Sequence, residues 1–210
     1  MTTLALEFSS ARRSVALAKG GRVLAEAVEI TGGRGTGAFG LIEQVLAKAN
    51  VAREAIEVIA VGLGPGSYTG IRAAIAVAQG WQLARETRLL GLSSIESLAA
   101  QAQAENLLGR INLVVDAQRG EFYLAEWNLT KSGRQELAPL RIVTASELAA
   151  RKSAGEICAG PEMERPLFPS AAAVAALAWT RSNYVPGETL EPVYLRAANF
   201  VKAPVGRAVA

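Results

Sequence analysis

Gly62-Leu63-Gly64-Pro65-Gly66-Ser67-Tyr68-Thr69-Gly70 decides how the rest of the chain is read. The five residues before it, Glu57-Val58-Ile59-Ala60-Val61, form a short apolar run that reads as a buried strand. Residues 71–85 follow as one Ala-rich stretch without proline, predicted to be helical. The junction holds four glycines and a proline, and Ser67 or Thr69 is placed to cap the helix. A helix N-terminus after a glycine loop suits an anion; it equally suits a tight strand-to-helix turn. The Lys-Ser/Thr ending of a P-loop is missing.

The helix after this loop is apolar on nearly every side. Ile71, Ala74, Ile75, Ala78 and Trp81 form one stripe, and Ala73, Ala76, Val77, Gly80 and Leu83 form a second. A helix apolar all round is buried all round. The second stripe needs cover from a second lobe or a partner chain, unless the helix lies at the centre of the core. Ala73, Ala76 and Gly80 are small enough to let another helix approach closely.

Outward from this unit, the first half reads as strands over 4–8, 14–18 and 22–30, with a hairpin turn at Lys19-Gly20-Gly21. A glycine-rich loop over 31–37 leads to a helix. Its apolar positions Ala38, Leu41, Ile42, Val45, Leu46 and Ala49 keep a helical spacing. Phe39 falls off that stripe, near Glu43, as either a contact residue or rim packing. A short strand over 89–92 precedes a capping-box pattern, Ser93-Ser94-Ile95-Glu96, and a helix over 94–104.

The second half partly repeats the first. Strands are predicted over 111–116, 121–127 and 136–143, with turns at 118–120 and 130–133. Thr144-Ala145-Ser146-Glu147 repeats the capping pattern, followed by a strand over 156–159 and an Ala-rich helix over 170–181. The division is two related lobes, 1–105 and 106–210, each with a mixed sheet and flanking helices. Glu7 and Asp116 end the first strand of their lobes.

Composition narrows the chemistry. The 210 residues are half apolar and one-fifth charged, with a net charge of +3 and no basic run. No apolar run reaches membrane-spanning length, and the N-terminus lacks the pattern of a signal peptide, so a cytoplasmic protein is expected. The chain has no histidine, which excludes His-ligated metals, Ser-His-Asp triads and imidazole acid-base catalysis. Asp116 is the single aspartate, a thin inventory for a phosphoryl-transfer enzyme. Cys158 allows no internal disulfide and reads as a small buried hydrophobe.

The arrangement resembles a reduced actin, sugar-kinase and Hsp70-like fold, and its motifs resemble those of the bacterial TsaB (YeaZ) family. The likeness is carried by GLGPGSYTGIR at 62–72, Ala78-Gln79-Gly80, Gly91-Leu92-Ser93-Ser94, the run from Val115 to Tyr123, and Glu191-Pro192-Val193-Tyr194-Leu195-Arg196. It implies a non-catalytic subunit without cofactor or metal, pairing with a TsaD-like subunit that places threonylcarbamoyl on the adenosine beside the tRNA anticodon. A TsaE-like ATPase and tRNA would be met through that complex, and a homodimer is a further expectation. The pairing would use the first-lobe helices, with Phe39, Glu43, Arg72, Ala73, Ala76, Gln79 and Gly80 as interface residues. Glu7, Gly64, Gly66, Ser67 and Asp116 would be a vestigial anion or nucleotide site.

Two departures stand out. Glu7-Phe8-Ser9 replaces the family's Asp-Thr-Ser, and Gly35-Thr36 replaces its His-Thr pair. The competing reading is an ATP-binding phosphotransferase or ATPase of the same fold, with Glu7 and Asp116 on Mg²⁺ and phosphate on the glycine loop. A peptidase, a label the wider family has carried, lacks any recognisable triad here.

Overall fold

Six consecutive buried residues, Thr2–Glu7, form β1, the middle strand of the first sheet. Burial on both faces explains why it reads as an unbroken run rather than an alternation. The structure, a computed structural model, describes residues 1–30 and 37–195. The loop expected over 31–37 therefore lies outside them except for Gly37, as do Gly35, Thr36 and Arg196.

β1 pairs antiparallel with β2 (Arg12–Lys19), which turns at Gly20-Gly21 into β3 (Arg22–Ile30). On the other side β1 runs parallel to β4 (Val58–Gly62), which neighbours β5 (Arg88–Leu92). The order is β3-β2-β1-β4-β5. The helices α1 (Ala38–Ala49) and α2 (Tyr68–Arg85) cover one face, burying Leu41, Ile42, Val45, Ile71, Ala74 and Ala78 against Leu4, Leu6, Val15, Leu17 and Ile59.

The second sheet repeats the pattern. β6 (Gly109–Asp116) pairs antiparallel with β7 (Glu121–Leu129), β7 with β8 (Arg134–Thr144), and β6 parallel with the short β9 (Ile157–Ala159). The order β8-β7-β6-β9 superposes in kind on β3-β2-β1-β4. Two such sheets make the reduced actin, sugar-kinase and Hsp70-like fold. Pro139 is tolerated within β8 because β8 is an edge strand and its pairing with β7 is irregular there.

The first five strands precede residue 105 and the other four follow it, but the helices do not divide in the same way. α3 (Ser94–Ala104) places Ile95, Leu98, Ala99 and Ala102 on the second sheet, against Ile111, Leu113, Ala125 and Trp127. α5 (Ala171–Trp179) returns to the first, packing Val174, Ala175 and Ala178 on Ala5, Ala16, Ala60 and Leu90. α4 (Ala145–Ser153) lies on the opposite face of the second sheet through Leu148.

Local expectations shift at the ends. α2 begins at Tyr68 rather than at residue 71, because Ser67 is its cap: Ser67 Oγ accepts from Gly70 N at 3.3 Å. Neither capping box closes. Ser93 and Thr144 cap their helices, but Glu96 turns to Arg181 and Glu147 to Arg141, stronger charged partners than a backbone N–H. α5 stops at Trp179, two residues short of the expected end.

Candidate functional site

The glycine loop is bound by its own chain. Leu63 N donates to the Leu92 carbonyl at 2.8 Å, Gly64 N to Ser94 Oγ at 3.0 Å, and Ser67 N to the Ser9 carbonyl at 2.6 Å. A Cβ on Gly66 would lie 2.0 Å from the Ser9 oxygen, so glycine lets the loop press onto the chain leaving β1. Gly64 and Ser67, expected at an anion site, direct their N–H groups into this packing. Of the two readings of the junction, the geometry favours the strand-to-helix turn.

Glu7 and Asp116 end equivalent strands but do not face a common point. Glu7 is fully buried; Oε1 accepts from Ser9 N and Oε2 from Ser94 Oγ, both at 2.9 Å. Burial pushes its carboxyl up, against the lowering effect of those hydrogen bonds. Asp116 lines a cleft of about 430 Å³ together with Ser9, Gly66, Ser67, Gln118 and Glu162; Glu7 does not. Asp116 is held within its own turn, accepting from Gln118 N at Oδ1 and Gln118 Nε2 at Oδ2, each at 2.7 Å. The Mg²⁺ pair imagined from sequence is therefore not assembled. Among the described residues lining the cleft there is no Lys or Arg, and no group of three metal-ligating His, Cys, Asp or Glu side chains occurs among the described residues. The described lining offers no cationic side chain to balance a polyphosphate.

Glu162 escaped the sequence reading. It follows Gly160-Pro161, and its carboxyl is pushed up by burial despite a hydrogen bond from the Asp116 backbone. The signal was weak: one acidic residue after a Gly-Pro turn.

A second cavity, about 540 Å³, is the groove between α1 and α2. Phe39 and Glu43 line it from α1; Ala76, Gly80 and Trp81 line it from α2. Phe39 stands 69% exposed while its neighbours Ala38, Leu41 and Ile42 are buried. Ala76 and Gly80 are exposed, and Leu83 on the same stripe is 89% exposed. The rim is charged, with Arg53 bound to Glu43 and Arg85 Nη1 3.5 Å from Glu54 Oε1. Trp81 is half-buried against the core of the first sheet, and its indole N–H has no partner among the described residues.

The other expected interface residues lie off this groove. Ala73 is half-buried. Arg72 stacks over the Tyr68 ring at 5.1 Å and donates to Tyr68 Oη at 3.0 Å. The Tyr68 ring is 5.6 Å from that of Tyr194, and both tyrosines line the cleft. Gln79 Nε2 turns inward and donates to the Gly187 carbonyl at 2.8 Å.

A family profile described as "TsaD: tRNA N6-adenosine threonylcarbamoyltransferase" matches residues 38–166. The fold superposes with TM-score 0.79 on a Pseudomonas aeruginosa protein described as similar to peptidase YeaZ, at 30% identity, covering 93% of this chain and 99% of that one. The chain belongs to the TsaB (YeaZ) family. YeaZ of P. aeruginosa itself superposes with TM-score 0.77 at 27% identity, over 92% of this chain and 99% of that one. A relative from Escherichia coli, named tRNA threonylcarbamoyladenosine biosynthesis protein TsaB, is 33% identical over 44% of this chain and 40% of its own length. One of the same name from Bacillus subtilis is 27% identical over 66% of this chain and 60% of its own length. The match thus spans roughly half the length of these curated relatives. Among the described residues no helix is long and apolar enough to cross a membrane.

Proposed function

We propose that this TsaB-family chain serves threonylcarbamoyladenosine biosynthesis on tRNA as a non-catalytic scaffold, pairing with a TsaD-like catalytic subunit through α1 and α2. The observation that carries the reading is the open groove between these helices, with Phe39 raised out of it and Ala76 and Gly80 exposed beside it. Small residues allow helices of a related lobe to approach closely, and an exposed aromatic is a natural anchor. Related lobes present related faces, so a second copy of this chain competes for the same surface. A TsaE-like ATPase and tRNA are then met through the complex.

Absent histidine and the internally bound glycine loop support the non-catalytic part of the reading. The test is co-purification of the full chain with the TsaD-like protein of the same organism. Stable co-elution supports the scaffold. Separate elution at micromolar concentrations of both proteins argues against it.

A further inference from the structure

The side of α2 away from the groove is gripped by residues 185–195, which return from α5 to the first lobe. Val185 N donates to the Leu89 carbonyl at 3.0 Å, adding an isolated bridge beyond β5. Two residues on, one backbone unit is held at both ends. Gln79 Nε2 donates to the Gly187 carbonyl at 2.8 Å, and Gly187 N donates to Gln82 Oε1 at 2.7 Å. Gln82 Nε2 also donates to the Thr87 carbonyl at 3.3 Å. A Cβ on residue 187 would lie 2.9 Å from Gln82 Oε1, so the absence of a side chain lets both amides close on the backbone. Farther along, Val193 N donates to the Leu63 carbonyl at 2.8 Å, and Tyr194 meets Tyr68 in the first turn of α2.

We infer that residues 185–195 are a strap that sets the position of α2, and that Gln79 is a positioning residue for the partner face; this rests on the reading of α1 and α2 as that face. Without the strap, α2 is seated on the sheet by Ile71, Ala74, Ile75 and Ala78, two of them alanines, with Val77 and Trp81 only partly buried against the same core. A seat so shallow resists rolling weakly, because few side chains interdigitate. Rolling would carry Ala76 and Gly80 away from Phe39 across the groove. The strap opposes this from the far side, and Gln79 and Gln82 hold it by a matched donor and acceptor.

The roles of the two amides differ, which makes the test specific. Gln79→Glu replaces the donor with a carboxylate facing the Gly187 carbonyl. Gln82→Glu keeps the acceptor for Gly187 N and sets its second oxygen against the Thr87 carbonyl, a contact outside the strap. Affinity for the TsaD-like protein should fall about tenfold in Gln79→Glu and change less than about twofold in Gln82→Glu, the scale of one hydrogen bond turned repulsive. In the lone full chain, amide hydrogen exchange at Gly187 should quicken in Gln79→Glu and hold in Gln82→Glu. Unchanged exchange in Gln79→Glu overturns the strap. Quickened exchange with unchanged affinity overturns the positioning role while leaving the partner face intact. Unchanged affinity in Ala76→Arg instead removes the partner face, and the positioning role with it.

Discussion

The Glu7 carboxylate occupies the space that a side chain at residue 62 would take: a Cβ on Gly62 would lie 2.0 Å from Glu7 Oε2. The first strand's terminal acid and the glycine that opens the loop are thus two halves of one packing arrangement. Gly62→Ala should destabilise the fold by about 2–3 kcal/mol, the cost of overpacking a full core position. The double variant Glu7→Ala/Gly62→Ala should recover part of that loss, since the new methyl then meets space. Urea melts of the two single variants and the double variant measure the coupling; strict additivity would separate the two residues.

Glu7 also gives the fold a signed pH dependence. Burial raises its carboxyl pKa in the folded state above the unfolded value. The neutral form is the one the fold favours, so this contribution is fully present below the unfolded pKa and lost as pH rises through the folded pKa. Glu7→Gln mimics the neutral acid at every pH. Its melting temperature relative to the parent should therefore be higher at pH 8 than at pH 4, and thermal melts across that range check the slope. A difference that shrinks with rising pH would mean that Ser9 and Ser94 outweigh burial.

Asp116→Asn should leave folding and partner capture nearly unchanged, within about 1 kcal/mol of stability. The Asn carbonyl oxygen can still accept from Gln118 N, and the Gln118 side-chain amide can turn to meet the new NH₂. Thermal melts, capture of the TsaD-like protein and tRNA modification by the reconstituted complex report on it. Loss of modification alone would give the cleft a chemical role.

Calorimetry of the isolated chain with Mg-ATP should show no sub-millimolar binding. The N–H groups of Leu63, Gly64 and Ser67 already have acceptors, and the cleft presents Asp116 and Glu162. Binding in that range would restore the phosphotransferase reading.

Periodic apolar spacing made much of the fold legible. α1 ends where its pattern ends because its buried face, Leu41, Ile42, Val45 and Leu46, cannot be shifted without exposing it, and β3 keeps its expected bounds by pairing with β2 along nearly all its length. What spacing cannot say is which sheet a buried face meets, so the crossing of α3 and α5 between lobes was invisible. Glu7 looked like a site residue because its partner Ser94 lies 87 positions away. Gln79 looked outward-facing for the same reason: its acceptor is 108 positions on, in a stretch with no periodicity. Of the expected interface residues, the groove gathers Phe39, Glu43, Ala76 and Gly80, while Arg72, Ala73 and Gln79, as small or as far off the core stripe, lie outside it.

The affinity of Ala76→Arg for the TsaD-like protein tests the scaffold account most directly. Ala76 is exposed on α2 in the groove wall, so the lone variant should melt like the parent. In the complex the charge would be desolvated between helices, weakening association by about 2–4 kcal/mol. Sedimentation of parent and variant with the partner, alongside thermal melts of each alone, gives both numbers. The account predicts a folded variant whose complex with the partner is lost at micromolar concentration; a folded variant that binds like the parent would contradict it.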